Sequence, residues 1–205
     1  MSNYPCIAPG TTLLLPPQLF GHVDYYRLMS RYERAYIDTS MLFDKRLKST
    51  HRFDIVDAPG KVSLTVPVSK SGGRVPWSEV TVSDHGKWWL SMPNALATAY
   101  SRSPFYEYYA DAVLSILSDR YIGAPITAMC GDADTLVRRI LDIDTQIVDK
   151  PSEPTADYRR AAIDTPSSAP YWQLRTLQRG FTPHLSILDL IFNLGPEACL
   201  YLAGH

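Results

Sequence analysis

The stretch "HLSILDLIFNLGPE", residues 184–197, constrains this chain more than any other. Ile187, Leu188, Leu190, Ile191, Phe192 and Leu194 would surround a helix with apolar groups, and a helix apolar on every side must be buried. The rest of the chain therefore has to wrap it in core. Ser186 is placed to be the N-cap, with Asp189 three residues on as an S-x-x-D capping box. Leu185 and Leu190 form the matching hydrophobic staple. Gly195 suits the positive-φ stop after a helix, and Pro196 blocks continuation. Asn193 is left over. It lies one helical turn from Asp189, so the two share a face. A buried amide without partners costs about 1–3 kcal/mol. That face is therefore either an internal brace or the lining of a pocket.

A chain of 205 residues, 45% hydrophobic and 20% charged, supports a single well-buried core. We expect one domain over residues 1–205. A net charge of −1 argues against a general nucleic-acid or anionic-membrane binder. No apolar run approaches the ~20 residues of a membrane span. "MSNYPCIAPG" lacks a basic n-region and does not read as a signal peptide. Cys6, Cys130 and Cys199 are odd in number and widely spaced. That spacing speaks against a disulfide framework or zinc ribbon and for small apolar roles in a reducing cytoplasm.

Along the chain, "TTLLLPP" and "AYID" read as short strands, with the loosely helical "VDYYRLM" between them. "HRFDIVD" and "KVSLTVPVS" flank a Pro59-Gly60 turn and predict a hairpin. Val62, Leu64 and Val66 alternate with Ser63 and Thr65, so that strand has one buried face. "WSEVTVSD" reads as a further strand and "TQIVDK" as a last one. Between them lie three helical segments: "GKWWLSMPNALATAYS", with Asp84 as its cap, "SPFYEYYADAVLSILSDRY" and "DADTLVRRILDI". Residues 151–170, rich in Pro, Ser and Thr, predict a long loop. The expected architecture is α/β or α+β: a mixed β-sheet from the N-terminal half, packed by helices, with a buried C-terminal helix.

The C-terminal stretch resembles "NLSILDLLFNxGPE", the signature of the WbqC-like family. "YWQLRTLQRGF" is similar to the segment that leads into that signature in Bacteroidetes-type members. "DYRRAAIDTP" resembles their "DYR…ISPK", and "AYSRSPFYEYYAD" their "AYxxSPFFEYYxD". "VSLTVPV" and "LLLPPQLFGHVDYYRLM" match family strands in the right order. Such proteins are found beside genes for O-antigen and other surface polysaccharides, and a glycine-transferase role has been suggested for some. The resemblance thus implies a transferase of surface-polysaccharide assembly, moving an aminoacyl or acyl group to a sugar amine. Three positions depart from the pattern: "THR" stands where an "RNR"-like triplet is usual, Met92 where a His is usual, and His22 where a Pro is usual. These departures leave room for a non-catalytic binding or scaffold member of the family.

Within that reading, Lys45, Arg46 and Arg52 form an anion clamp for a nucleotide sugar or an aminoacyl donor. His51 is the candidate base, kept neutral by neighbouring cations. Asp189 and Asn193 complete the catalytic set. Trp88 and Tyr100 offer aromatic faces to the substrate. The pairs Asp132/Asp134 and Asp142/Asp144 resemble the DxD motif of metal-dependent glycosyltransferases, a weaker alternative. They read more simply as helix-terminal acids, with Asp132 or Asp134 capping a helix from about Thr135. No metal or other cofactor is expected. "SKSGGR" lacks the context of a phosphate loop and reads as a link between strands.

Overall fold

The computed structural model describes residues 7–160 and 170–204. Cys6 and the 161–169 part of the expected long loop lie outside the described residues. In chain order the elements are β1 (Thr12–Leu15), α1 (Val23–Met29), β2 (Arg34–Ile37), β3 (Arg52–Asp57), β4 (Gly60–Thr65), β5 (Val68–Ser69) and β6 (Thr81–Val82). They continue with α2 (Trp88–Tyr100), α3 (Tyr106–Ile116), α4 (Ile126–Ile140), β7 (Gln146–Ile147), β8 (Thr155–Asp157), α5 (Thr176–Arg179), α6 (Ile187–Leu194) and α7 (Ala198–Ala203).

The α/β class and the buried C-terminal helix are as the sequence predicts. The strands divide among three sheets. The central one has the order β7-β2-β1-β8 and is parallel throughout. Half of its strands thus come from beyond residue 145. Each of those, Gln146–Ile147 and Thr155–Asp157, is too short to display an alternation, so β8 sits unannounced inside the expected loop. β3 and β4 form the expected hairpin, with Asp57 opposite Gly60, so that Ala58 and Pro59 make its tip. β5 and β6 pair separately, and only Thr81–Val82 of "WSEVTVSD" is strand.

Two caps fall elsewhere than expected. α4 begins at Ile126 behind Pro125, so Asp132 and Asp134 lie in mid-helix and cap nothing. α2 begins after Lys87, and the Asp84 side chain makes no capping bond.

One hydrophobic core runs through the described residues, from Leu13 and Leu15 of β1 through Val113, Met129 and Val137 to Leu202. α6 passes through it, with every residue from Ile187 to Asn193 buried. Ser186 caps the helix: its Oγ accepts from the Leu188 amide at 3.3 Å and donates to the Phe20 carbonyl at 2.7 Å. The Ser186 amide donates to the Asp54 carbonyl. The return half of a capping box is therefore not needed, and the Asp189 carboxylate is committed elsewhere. Loss of a cap costs about 0.5–2 kcal/mol. Ser186→Ala, which also orphans the Phe20 carbonyl, is expected to lower stability by about 1–2 kcal/mol in urea denaturation.

Candidate functional site

Asp189 receives three hydrogen bonds. The Tyr100 hydroxyl donates to Oδ1 at 2.9 Å, and the Tyr171 hydroxyl and Gln173 Nε2 donate to Oδ2 at 2.6 and 2.9 Å. Burial raises the carboxyl above its usual range, while the three donors pull it down. Asn193 is equally occupied. Its Nδ2 donates to the Asp189 carbonyl at 2.7 Å, and its Oδ1 accepts from the Leu174 amide at 3.0 Å and the Ser103 hydroxyl at 3.4 Å. This pair is a brace that ties α2, the α2–α3 link and residues 171–174 to α6. Its oxygens have no room for a substrate, which corrects the expected catalytic role of Asp189 and Asn193.

The two aromatic candidates are corrected on the same ground. Tyr100 is 1% exposed and its hydroxyl belongs to that brace. Trp88 is 3% exposed, donates Nε1–H to the Ser83 carbonyl and packs edge-on against Trp89. Neither offers a face to a sugar.

The cationic candidates scatter. Arg46 is exposed and forks onto Asp44, which it holds at a pKa of about 2. Lys45 is exposed. Arg52 lies across the hairpin, donating Nε–H to Thr65 Oγ1 at 2.8 Å. His51 places Nδ1 3.1 Å from the Val66 carbonyl. A carbonyl only accepts, so Nδ1 carries the hydrogen and Nε2 keeps its lone pair. Burial is the largest influence lowering this imidazole's pKa, and Arg52 and Lys48 add to it. Desolvation thus outweighs charge in favouring the neutral form of His51.

The open clefts lie at the carboxyl ends of the parallel strands. Asp38 follows β2, and its amide donates to the carbonyl of Leu15 at the end of β1. Arg159 follows β8, and its guanidinium reaches over the end of β1 to Asp38 Oδ2 at 2.7 Å while also pairing with Asp157 at 2.7 Å. Burial, the largest single influence on Asp38, pushes its pKa up, but the bonds from Ser40 and Arg159 together hold it below the usual range. Arg160, with a side chain 63% exposed, faces Asp44 at 4.0 Å. Asp38, Ser40, Met41, Asp157, Arg159 and Arg160 surround a polar basin of about 490 Å³.

A second cleft, of about 420 Å³, opens on the other side of the chain leaving β2. Ile37 and Thr39 line this cleft, while Asp38 and Ser40 line the polar basin, so the turn that follows β2 serves both spaces. Its far wall is α4, through Thr127, Gly131, Asp134, Thr135 and Arg138. The loop before β3 braces this end of the sheet: Thr50 Oγ1 donates to the Pro17 carbonyl, and the Thr50 carbonyl accepts from Cys130 Sγ.

A sheet of order β7-β2-β1-β8 runs from β1 outward through β2 to β7, then resumes on the opposite flank with β8. Ligands of open parallel sheets bind beyond the strand carboxyl ends, where the strand order reverses. Sequence reading missed Asp38, Asp157, Arg159 and Arg160. The signal available was the "DYRR" stretch, which gives no sign of the strand beneath it. The DxD pair also resolves. Asp132 and Asp134 are two residues apart on a helix and so point to different faces, with side chains 59% and 6% exposed. They cannot converge on one cation.

The model of the WbqC-like protein family matches residues 17–162, which takes in β2, β7 and β8 of the central sheet, both clefts and the loop carrying His51. The chain belongs to the WbqC-like family. No curated protein and no solved structure matches it. The matched span ends before α6, so the likeness of residues 184–197 to the family rests on the sequence itself. Among the described residues, no helix is long and apolar enough to cross a membrane.

Proposed function

We propose that this WbqC-like chain is a cytoplasmic transferase of surface-polysaccharide assembly, moving glycine or a similar aminoacyl group onto the amine of a nucleotide-linked sugar. The observation that carries this reading is the pair of adjoining clefts beyond the carboxyl ends of a parallel sheet, one of them rimmed by arginines. Arg159 is pre-oriented by Asp38 and Asp157, Arg160 lines the basin with it, and Arg160 faces the same Asp44 that Arg46 grips. Guanidinium groups held in this way suit the oxygens of a diphosphate.

The amine nitrogen of the sugar attacks the carbonyl carbon of an activated aminoacyl ester. The N–C bond forms, the ester C–O bond breaks, and the leaving alcohol departs with that bond's electron pair. The amine proton passes to a base. The carboxylates of Asp38 and Asp157 line the basin and can take it, whereas His51, neutral and with Nε2 free of the proton, lines neither cleft. The three widely spaced cysteines fit a reducing compartment.

Thermal-shift titration with nucleoside diphosphates and nucleotide-linked amino sugars tests the reading, because a ligand of the native state raises the melting temperature. Charge-assisted bonds contribute about 1.5–3 kcal/mol. Arg160→Ala is therefore expected to weaken diphosphate binding about tenfold or more. Its exposed side chain leaves the unliganded melting temperature unchanged. A flat response to every nucleotide and aminoacyl donor would sink the transferase reading in favour of a binding or scaffold protein.

A further inference from the structure

The cleft against α4 carries an inference of its own, resting on the reading above. Its charged lining consists of Asp134, Asp149 and Arg138. Arg138 donates Nε–H to Asp134 Oδ2 at 2.7 Å, so these two neutralise each other. Asp149 is exposed at the rim and has no ion pair among the described residues. The cleft therefore keeps one negative charge. Its neutral lining is mixed: Ile37, Ile147 and Val148 on the sheet side, and the hydroxyls of Thr39, Thr127 and Thr135.

Gly131 is the second observation. It sits in the middle of α4, where glycine costs about 1 kcal/mol relative to alanine. A Cβ built there meets nothing within 4 Å. No packing contact calls for the glycine, and the space in front of it belongs to the cleft.

We propose that this cleft is the acceptor subsite and takes a single hydroxylated ring bearing an ammonium or amine, an amino sugar. Asp149 pairs with the nitrogen, the threonine hydroxyls with those of the ring, and Ile37 and Ile147 cover its apolar face. A volume of about 420 Å³ admits one ring and its first substituents. The alternation of residues 37–40 between the two spaces lets one ligand lie across the end of β2, with its ring here and its diphosphate at Arg159 and Arg160.

The test uses the whole chain and free glucosamine, with glucose as the control, read by saturation-transfer NMR at millimolar concentration. Glucosamine is expected to bind more tightly than glucose, and Asp149→Asn to remove about two- to fivefold of that preference, the range of an exposed ion pair. Gly131→Leu projects into the cleft from a position where a Cβ meets nothing within 4 Å, and with better helix propensity. It is expected to abolish glucosamine binding while the melting temperature holds or rises. Equal binding of the two sugars, or glucosamine binding untouched by Gly131→Leu, overturns the assignment. A nucleoside diphosphate titration in parallel separates the two claims. Diphosphate binding without glucosamine binding overturns the subsite alone, and failure of both removes the transferase reading with it.

Discussion

Asp189→Ala is expected to destabilise the protein by about 3–5 kcal/mol, the range for removing one partner of a buried charged network. Three donors converge on this carboxylate from Tyr100, Tyr171 and Gln173, and all three side chains are at most 9% exposed. Taking the acceptor away leaves two hydroxyls and an amide hydrogen facing a buried core. Each buried group left unsatisfied costs about 1–3 kcal/mol. Urea denaturation followed by far-ultraviolet circular dichroism measures the loss. A residue that served catalysis alone would give the opposite pattern, with stability kept and turnover lost.

The same carboxyl makes a prediction in pH. Burial holds its native pKa above the unfolded value of about 3.9. A raised native pKa means that the folded state binds the extra proton between the two values. The contribution of Asp189 to stability is full below about pH 4 and falls as pH climbs to the native pKa. Asp189→Asn removes this slope. Asp38 works in the other direction: its lowered native pKa stabilises above the unfolded value and is lost on acidification. A stability-against-pH curve for Asp189→Asn beside the parent chain isolates the first from the second.

The two halves of the protein differ in what the sequence discloses. α6 was legible because a cap, a staple, a run of apolar residues and a Gly-Pro stop all point to one structure, and Ser186, Leu185 and Leu190 take their expected places. The hairpin was legible for a similar reason, with alternation on one strand and a turn between. The central sheet was not. Its four strands have between two and four residues, and two of them lie far along the chain from the other pair. Their pairing is a tertiary fact that periodicity cannot carry.

The site follows the sheet. Asp38 and Arg159 become neighbours only when β2 and β8 flank β1, across 121 positions of sequence. Asp189 and Asn193 stood out because they are polar in an apolar run. A buried network and a binding site draw on the same residue types, and only the partners separate them. Tyr171 and Gln173, which make the difference, lie in a segment with no secondary structure to mark it.

Gly195→Ala is expected to cost about 3–5 kcal/mol, through two faults that act together. The residue ends α6 with φ 53° and ψ −124°. That combination lies outside the left-handed helical region, so even Asn, which tolerates positive φ, has no relaxed place there. Backbone strain of this kind costs about 1–3 kcal/mol. The side chain has no room either: a Cβ would stand 2.5 Å from two carbons of the Phe105 ring. Phe105 cannot swing aside at no cost, because its amide donates to the Phe192 carbonyl and its ring packs on Tyr108. Overpacking of this order adds about 1–3 kcal/mol. Phe105→Leu offers a partial rescue, since a smaller side chain relieves the clash and leaves the backbone strain. The double variant is therefore expected to melt between Gly195→Ala and the parent chain. If Gly195→Ala melted with the parent, the close approach of the α3 entry to the end of α6 would be wrong, and with it the geometry that lets Ser103 reach Asn193.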